Sequence, residues 1–537
     1  MIKPTKLASL LTLILLTQCN LAQADERESL EQLKATTTNL IDLLVQEGVL
    51  NKDKADALVK KATADAARQV KQAKVQETNA AEAEAGLVQD EKSVRVQYVP
   101  EHIKKEMREE IKKDVMAKLN YKAGERLGLP SWLDRIAFRG DMRLRYQNDS
   151  FSDNNAPIGA LNDVARFSNI ANSTSERERY RVRARLGADV KVTDWLTGGL
   201  QFTTGLLNTP LTPNQTEGIA QGKYQFGLDR AFLKATPTSW LMVEGGRFAN
   251  PLFSTDLLWD PDLAFDGFAA TFKPKLNDSW SSFTTLGAFP IEEVQSSEEN
   301  RAKDKWIYAI QSGIKWQAQD KSSVRLAVGY NDYKNVEGRQ NPTGLESFNA
   351  TVPAFRQKGN NTFDINSRNN GTIKPSAATN ALASKFEQVN LTGQIDLLKF
   401  DPVHVTLTGD YVKNIGFDQG EVFRRTGSLF KEETDAYQVR LDVGQNSFNL
   451  LDNSVDVKKG EWQVSLAYKY VEADSMLDGY TDSNFHLGGT DAKGWMLFAN
   501  YAVDKNAWLA ARYFSTDSIS GPPLGIDVFL IDFVAKF

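Results

Sequence analysis

Long apolar runs are what this 537-residue sequence has least of. Beyond the first 24 residues no stretch of 18 apolar residues occurs, which excludes a membrane-spanning helix from the bulk of the chain. Cysteine is almost missing: Cys19 stands alone, so a disulfide, a zinc–thiolate site and thiol catalysis have no material to work with. Only three histidines occur, His102, His404 and His486, and no local pattern sets a base beside a nucleophile. An enzyme is therefore not expected, nor is a cofactor. Neither charge dominates, with 64 basic and 69 acidic residues, and that balance does not suggest a partner of nucleic acid.

Two segments precede the main body. Lys3 and Lys6, the apolar "LASLLTLILLT" and the small-residue site at Ala22, Gln23 and Ala24 read as a signal peptide over 1–24. Cleavage there removes two lysines and Cys19, taking the net charge from −5 to −7. The rival reading is lipid attachment at Cys19 through "LLTQC", for which Gln18 is a poor fit. Residues 25–131 read as a periplasmic helical arm. Leu30, Leu33, Leu40, Leu43 and Leu44 recur at helical spacing, and Ile103, Met107, Ile111 and Val115 form a narrow stripe behind Pro100. A narrow stripe on a charged helix suits a coiled coil, and a solvated linker fits it equally well.

From Trp132 onward the period changes from about 3.6 to 2. In "RIAFRGDMRLRYQ" Ile136, Phe138, Met142, Leu144 and Tyr146 alternate with Arg135, Arg139, Asp141, Arg143 and Arg145. "YRVRARLGADVKV" repeats the pattern, with Val182, Leu186 and Val190 set against Arg181, Arg183, Arg185 and Asp189. Similar segments of about ten residues recur to the end of the chain, matching tilted membrane crossings. Aromatics such as Trp306, Trp316, Trp462 and Tyr470 fall at their ends, where amphipathic rings favour the lipid–water boundary. The loop at 331–385 is the longest of eight polar stretches that alternate with short turns such as "TDW", "NDS" and "VDKN". One turn, near 445–460, is long for this scheme, and "LDRAFLKA" does not alternate cleanly.

These features predict an all-β transmembrane antiparallel barrel over 132–537, of sixteen strands with eighteen as the alternative count. Its final strand, "VFLIDFVAKF", ends on Phe537 and resembles the signal read by the barrel-assembly machinery.

Longer motifs carry a family resemblance. "VRVQYVPEHIKKEMREEIKKDV", "WLDRIAFRGDMRLRYQ", "RERYRVRARLGADVKVTDWLTGGLQFTTG", "FGLDRAFLKA" and "VEGGRFANPLFSTDLLWDPDLAFDGFAA" resemble the putative porin family of Gram-negative bacteria. The resemblance implies an outer-membrane channel for small solutes, with no assigned substrate and no catalytic residue to carry over.

The expected function is passive diffusion of small hydrophilic solutes or ions through a charged lumen in the cell outer membrane. The expected surroundings are outer-membrane lipid and lipopolysaccharide, with a homotrimer suited to a barrel of this width. Arg139, Asp141, Arg143, Arg145, Arg181, Arg183, Arg185 and Asp189 are the expected pore-lining residues, since charged clusters set ion preference in pores. Asp141 and Asp189 do not balance so many arginines, so carboxylates from an infolded loop or the opposite wall are expected to complete the set. The loop 331–385 is a candidate constriction, and a mobile surface loop fits its composition equally. "WDPDLAFDG" brings Asp260, Asp262 and Asp266 together without the glycine and distal glutamate of a calcium loop, and reads as a polar turn into the next strand. Two rival functions remain open: a structural protein whose arm tethers the envelope, and a substrate-specific channel for anionic solutes.

Overall fold

Alternating strands are stable in lipid only if the sheet closes, because an open edge leaves backbone N–H and C=O groups unpaired where water cannot reach them. A computed structural model describes residues 133–537 apart from 163, 168–169, 368–378 and 446–456, so the expected signal peptide and helical arm lie outside the described residues.

The wall has sixteen strands. The first four are β1 (Ile136–Phe151), β2 (Arg177–Lys191), β3 (Leu196–Thr204) and β4 (Phe226–Thr238). Next come β5 (Leu241–Ala249), β6 (Ala264–Phe272), β7 (Trp280–Glu292) and β8 (Lys305–Gln317). The far side holds β9 (Ser323–Lys334), β10 (Glu387–Leu397), β11 (His404–Asn414) and β12 (Asp435–Gly444). The ring is completed by β13 (Trp462–Val471), β14 (Ala492–Asp504), β15 (Ala507–Ser518) and β16 (Gly525–Lys536). Each pairs antiparallel with the next, and β16 returns to β1 with Asp141 opposite Lys536 and Phe151 opposite Ile526. The barrel is closed, and sixteen is its count. A two-residue bridge at Gln215–Thr216 and a ribbon joining Thr362–Asp364 to Asn380–Leu382 belong to the loops.

The period-2 pattern sorts side chains between two solvents. On β1 the outward Phe138, Met142 and Leu144 are 71%, 50% and 53% exposed, while the inward Arg143 and Arg145 are 6% and 3% exposed. Exposed tryptophans, among them Trp195, Trp240, Trp280 and Trp316, mark the short-turn end. Exposed tyrosines, among them Tyr180, Tyr308, Tyr411 and Tyr513, mark the long-loop end. These are the two aromatic belts expected at lipid–water boundaries.

The irregularities have local causes. In β4 the register against β3 slips between Gln201 and Phe202, so Asp229 is the extra residue of a bulge. That bulge is why "LDRAFLKA" fails to alternate. The connection from β12 to β13 takes residues 445–461, long as the sequence suggested, and 446–456 of it lie outside the described residues. Gly140 breaks the apolar row of β1 because Phe537 covers it: their backbones exchange two hydrogen bonds of 2.9 Å. A Cβ at Gly140 would meet the Phe537 ring at 2.5 Å.

Candidate functional site in the barrel lumen

The facing strands β1 and β2 set like charges opposite one another: Arg143 lies across from Arg183, and Arg145 from Arg181. Like charges in register repel, so the arrangement needs counter-charges nearby. Asp141 supplies the first, accepting from Arg183 Nη2 at 2.6 Å and from Arg185 Nε at 2.6 Å. On the other side β16 supplies Asp532, which accepts two parallel bonds from Arg145 Nε and Nη2 at 2.6 and 2.8 Å. Asp189 pairs with Arg139 at 3.0 Å. Arg143 donates to Asn214 Oδ1 at 2.5 Å, and Arg181 to Gln147 Oε1 at 3.2 Å. All eight residues expected from sequence therefore sit on the inner side of one sector, held as a network.

The remaining counter-charge comes from a loop. Residues 250–263, between β5 and β6, leave the wall and cross the lumen. Phe253 packs edge-on against Phe283 at 6.2 Å, and the Arg325 guanidinium lies 3.7 Å from the Phe253 ring centre and 4.4 Å from that of Phe283. Gln311 clamps the Phe253 backbone with bonds of 2.7 and 2.8 Å. Farther on, Thr255 donates to Asp410 on β11 at 2.6 Å, and Asp256 accepts from Lys469 on β13 at 3.2 Å. Leu257, Leu258 and Trp259 are buried in an apolar cluster with Phe248, Phe265 and Phe289. The crossing ends on β2, where Asp262 lies 3.3 Å from Arg185 and 3.6 Å from Arg183.

"WDPDLAFDG" is thus the end of a crossing loop, correcting its reading as a polar turn. Its three aspartates have separate tasks: Asp260 accepts from the Ser483 and Asp262 backbones, Asp262 faces the arginines, and Asp266 pairs with Arg247. Among the described residues no group of acids and histidines is placed to hold a metal ion.

The described residues of the loop 335–386 take a different position from the crossing loop, packing into the long-loop end. Asn360 Nδ2 donates to the carbonyls of Ala473 and Met476 at 2.6 and 2.7 Å. Lys358 Nζ donates to the carbonyls of His486 and Gly488. Asn361 donates to Asp474 through its backbone and side chain, both at 2.9 Å, and Arg166 joins Glu433, Asp491 and Asn361. Burial dominates the titration of these groups. It pushes the carboxyls of Asp474 and Asp491 up to about 6 and the Lys358 ammonium down to about 7. It also holds the His486 ring well below its ordinary value.

The loops divide the lumen into chambers. One of about 430 Å³ lies toward the long-loop end against Arg177, Arg179, Arg181 and Arg356. Another, of about 470 Å³, is lined by Trp259, Phe289, Tyr480, Glu292 and Lys305. A smaller one of about 140 Å³ touches the crossing loop through Asp256 and Trp259 and the wall through Gln438, Arg440 and Arg512. Sequence reasoning missed Asp532, Phe253 and Arg325, and took Asp262 only as part of a polar turn. One signal was available: a loop carrying Phe253, Leu257, Leu258 and Trp259 is too apolar to lie in water.

A family model described as "Putative porin" matches residues 34–537. No curated protein matches the chain. Among solved structures, Pseudomonas putida OprB at high pH is 12% identical, with a TM-score of 0.42 over 75% of this chain and 95% of that one. The outer membrane channel DcaP of Acinetobacter baumannii is 9% identical, with a TM-score of 0.38 over 75% and 97%. Salmonella typhi OmpF in complex with daunomycin is 11% identical, with a TM-score of 0.39 over 75% and 97%.

Proposed function

We infer the working of this chain from the premise that it belongs to the putative porin family. It is an outer-membrane channel for passive diffusion. The observation that carries the mechanism is the closed ring of sixteen strands with lipid-facing apolar residues outside and a charged lumen inside. A sixteen-stranded barrel is wide enough for an aqueous path. Solutes pass down their gradients, sorted by the width that the crossing loop leaves and by the field between the β1–β2 arginines and the loop carboxylates. No covalent step is needed, and we propose none.

The finer assignments are proposals as well. An even strand count puts the start of β1 and Phe537 on one side, which we take as the periplasm, with the 25–131 arm there after removal of the signal peptide. Phe537 would present the last strand to the barrel-assembly machinery. A homotrimer is supported by a low stretch of wall. The nine-residue strands β3, β5 and β6 are each about 30 Å long and about 21 Å tall when tilted, short of an apolar band of about 25 Å. Exposed Phe202, Phe226, Leu228 and Phe268 cluster on that stretch, where a second copy would cover them better than lipid.

The test is single-channel recording of the refolded mature protein in a planar bilayer under a salt gradient. Steady openings are expected. A correctly folded barrel that never conducts would overturn the channel mechanism.

A further inference from the structure

The inner face of β2 continues beyond the residues that the crossing loop neutralises. Past Arg185 and Arg183, Arg181, Arg179 and Arg177 follow at every second position toward the long-loop end, about 7 Å apart by strand geometry. They share the 430 Å³ cavity with Arg356 and Lys358. Among the described residues Asp149 is the one carboxylate that lines it, and it is already paired with Arg179. Arg356 is engaged by Asp478 at 3.2 Å and Lys358 by two carbonyls. Among the described residues Arg181 touches only neutral groups, Gln147 Oε1 at 3.2 Å and the Asn214 carbonyl at 3.3 Å, and no carboxylate forms an ion pair with Arg177. Asp149, already bonded to Arg179, is the carboxylate nearest to both, standing opposite Arg177 in register, so the arginines outnumber their counter-charge here, with Arg181 in the partly enclosed space and Arg177 at its exposed mouth. The rest of the wall has a polar part, with Thr209, Thr212, Gln357 and Ser483, and an apolar part made by Leu211, Phe355, Leu524 and Ile526.

We propose that this cavity is a capture site for organic anions, placed before the crossing loop on the path from the long-loop end. The anionic group, a carboxylate or phosphate, sits on Arg181, whose planar donors match it bidentately, while Arg177, four residues along the same face and about 14 Å away by strand geometry, draws anions toward it from the mouth. The hydrocarbon part lies on Phe355 and Ile526. An inorganic anion would satisfy the arginines and leave that apolar wall wet, so the site prefers anions that carry both. The inference rests on the channel mechanism above and names the solute class it favours.

The test uses the full mature chain and three probes: 3-phenylpropanoate, its neutral amide and acetate. In planar bilayers the phenylpropanoate is expected to interrupt the current at concentrations about tenfold lower than the other two. Arg181→Gln should raise that concentration about tenfold, Arg177→Gln should raise it too, and Arg181→Lys should fall between wild type and Arg181→Gln. Calorimetric titration of the folded protein in detergent gives a second readout, independent of conduction. Binding without openings would uphold the site while overturning the channel mechanism. Openings with equal effects of the acid and its amide, or an unchanged response in Arg181→Gln, would overturn the capture site.

Discussion

Asp262 lies 3.3 Å from Arg185, so a loop that leaves the wall after β5 ends its crossing against β2. Arg183 and Arg185 then share two carboxylates, Asp141 and Asp262. Asp262→Asn keeps the shape and removes one charge. The lumen becomes more positive there, and the ratio of anion to cation permeability should rise about fivefold, the equivalent of about 1 kcal/mol of partly screened charge. The reversal potential under a salt gradient reads this directly, and an unmoved potential would place the ion path away from this sector.

Arg325 holds the other end of the crossing. It stacks on Phe253 and Phe283, and a partly desolvated cation–π contact contributes on the order of 1–2 kcal/mol. Arg325→Ala should loosen the loop near Phe253 and appear as added fast flicker in single-channel records. Phe253→Ala also opens a cavity and should cost about 3–5 kcal/mol in urea unfolding. Quiet records from both variants would mean that the Gln311 clamp and the Thr255–Asp410 bond pin the loop without the aromatic stack.

The wall was legible and the contents of the lumen largely were not. Alternation in β1 and β2 names which side chains face inward because strand geometry allows only two faces, and the loop and turn lengths follow from hairpins. What sequence spacing cannot carry is a contact between distant segments. Asp532 is 387 residues from Arg145, and Asp262 is 77 from Arg185. Their pairing follows from ring closure and loop path, which depend on packing across the barrel. The composition of 331–385 suited a constriction and a mobile surface loop equally, and polar side chains also serve contacts with other loops, as those of Asn360 and Asn361 do. The shorter loop at 250–263 crosses because it carries enough apolar residues to bury inside the barrel.

The loops at the long-loop end should respond to acid in a defined window. The folded-state carboxyls of Asp474 and Asp491 are raised to about 6, so they favour the packed loop fully below their ordinary value of 3.8 and lose that contribution as pH rises through about 6. Lys358, lowered to about 7, acts in the other direction: its contribution is present above its ordinary 10.5 and is lost as pH falls through 7, so it barely changes between pH 4 and 6. Hydrogen exchange across 472–491, corrected for intrinsic rate, should therefore show protection falling from pH 4 to pH 6. Asp474→Asn should flatten that slope. A slope that survives Asp474→Asn combined with Asp491→Asn would assign it elsewhere.

The pair of Arg145 and Asp532 should matter most to closure, because the two residues face each other in register across the seam between β1 and β16. Both side chains are 1% exposed, and the bond is bidentate. A buried pair contributes little net when replaced as a unit but costs heavily when broken, since the survivor is a charge cut off from water. Asp532→Asn and Arg145→Met should each cost about 3–5 kcal/mol, seen as a lower urea midpoint and a smaller refolded yield. The double variant Arg145→Met with Asp532→Leu should recover most of that loss, within about 1 kcal/mol of the parent protein. If the single variants cost as little as an exposed ion pair, water reaches the seam and the lumen is wetter beside β16 than the side-chain burial implies.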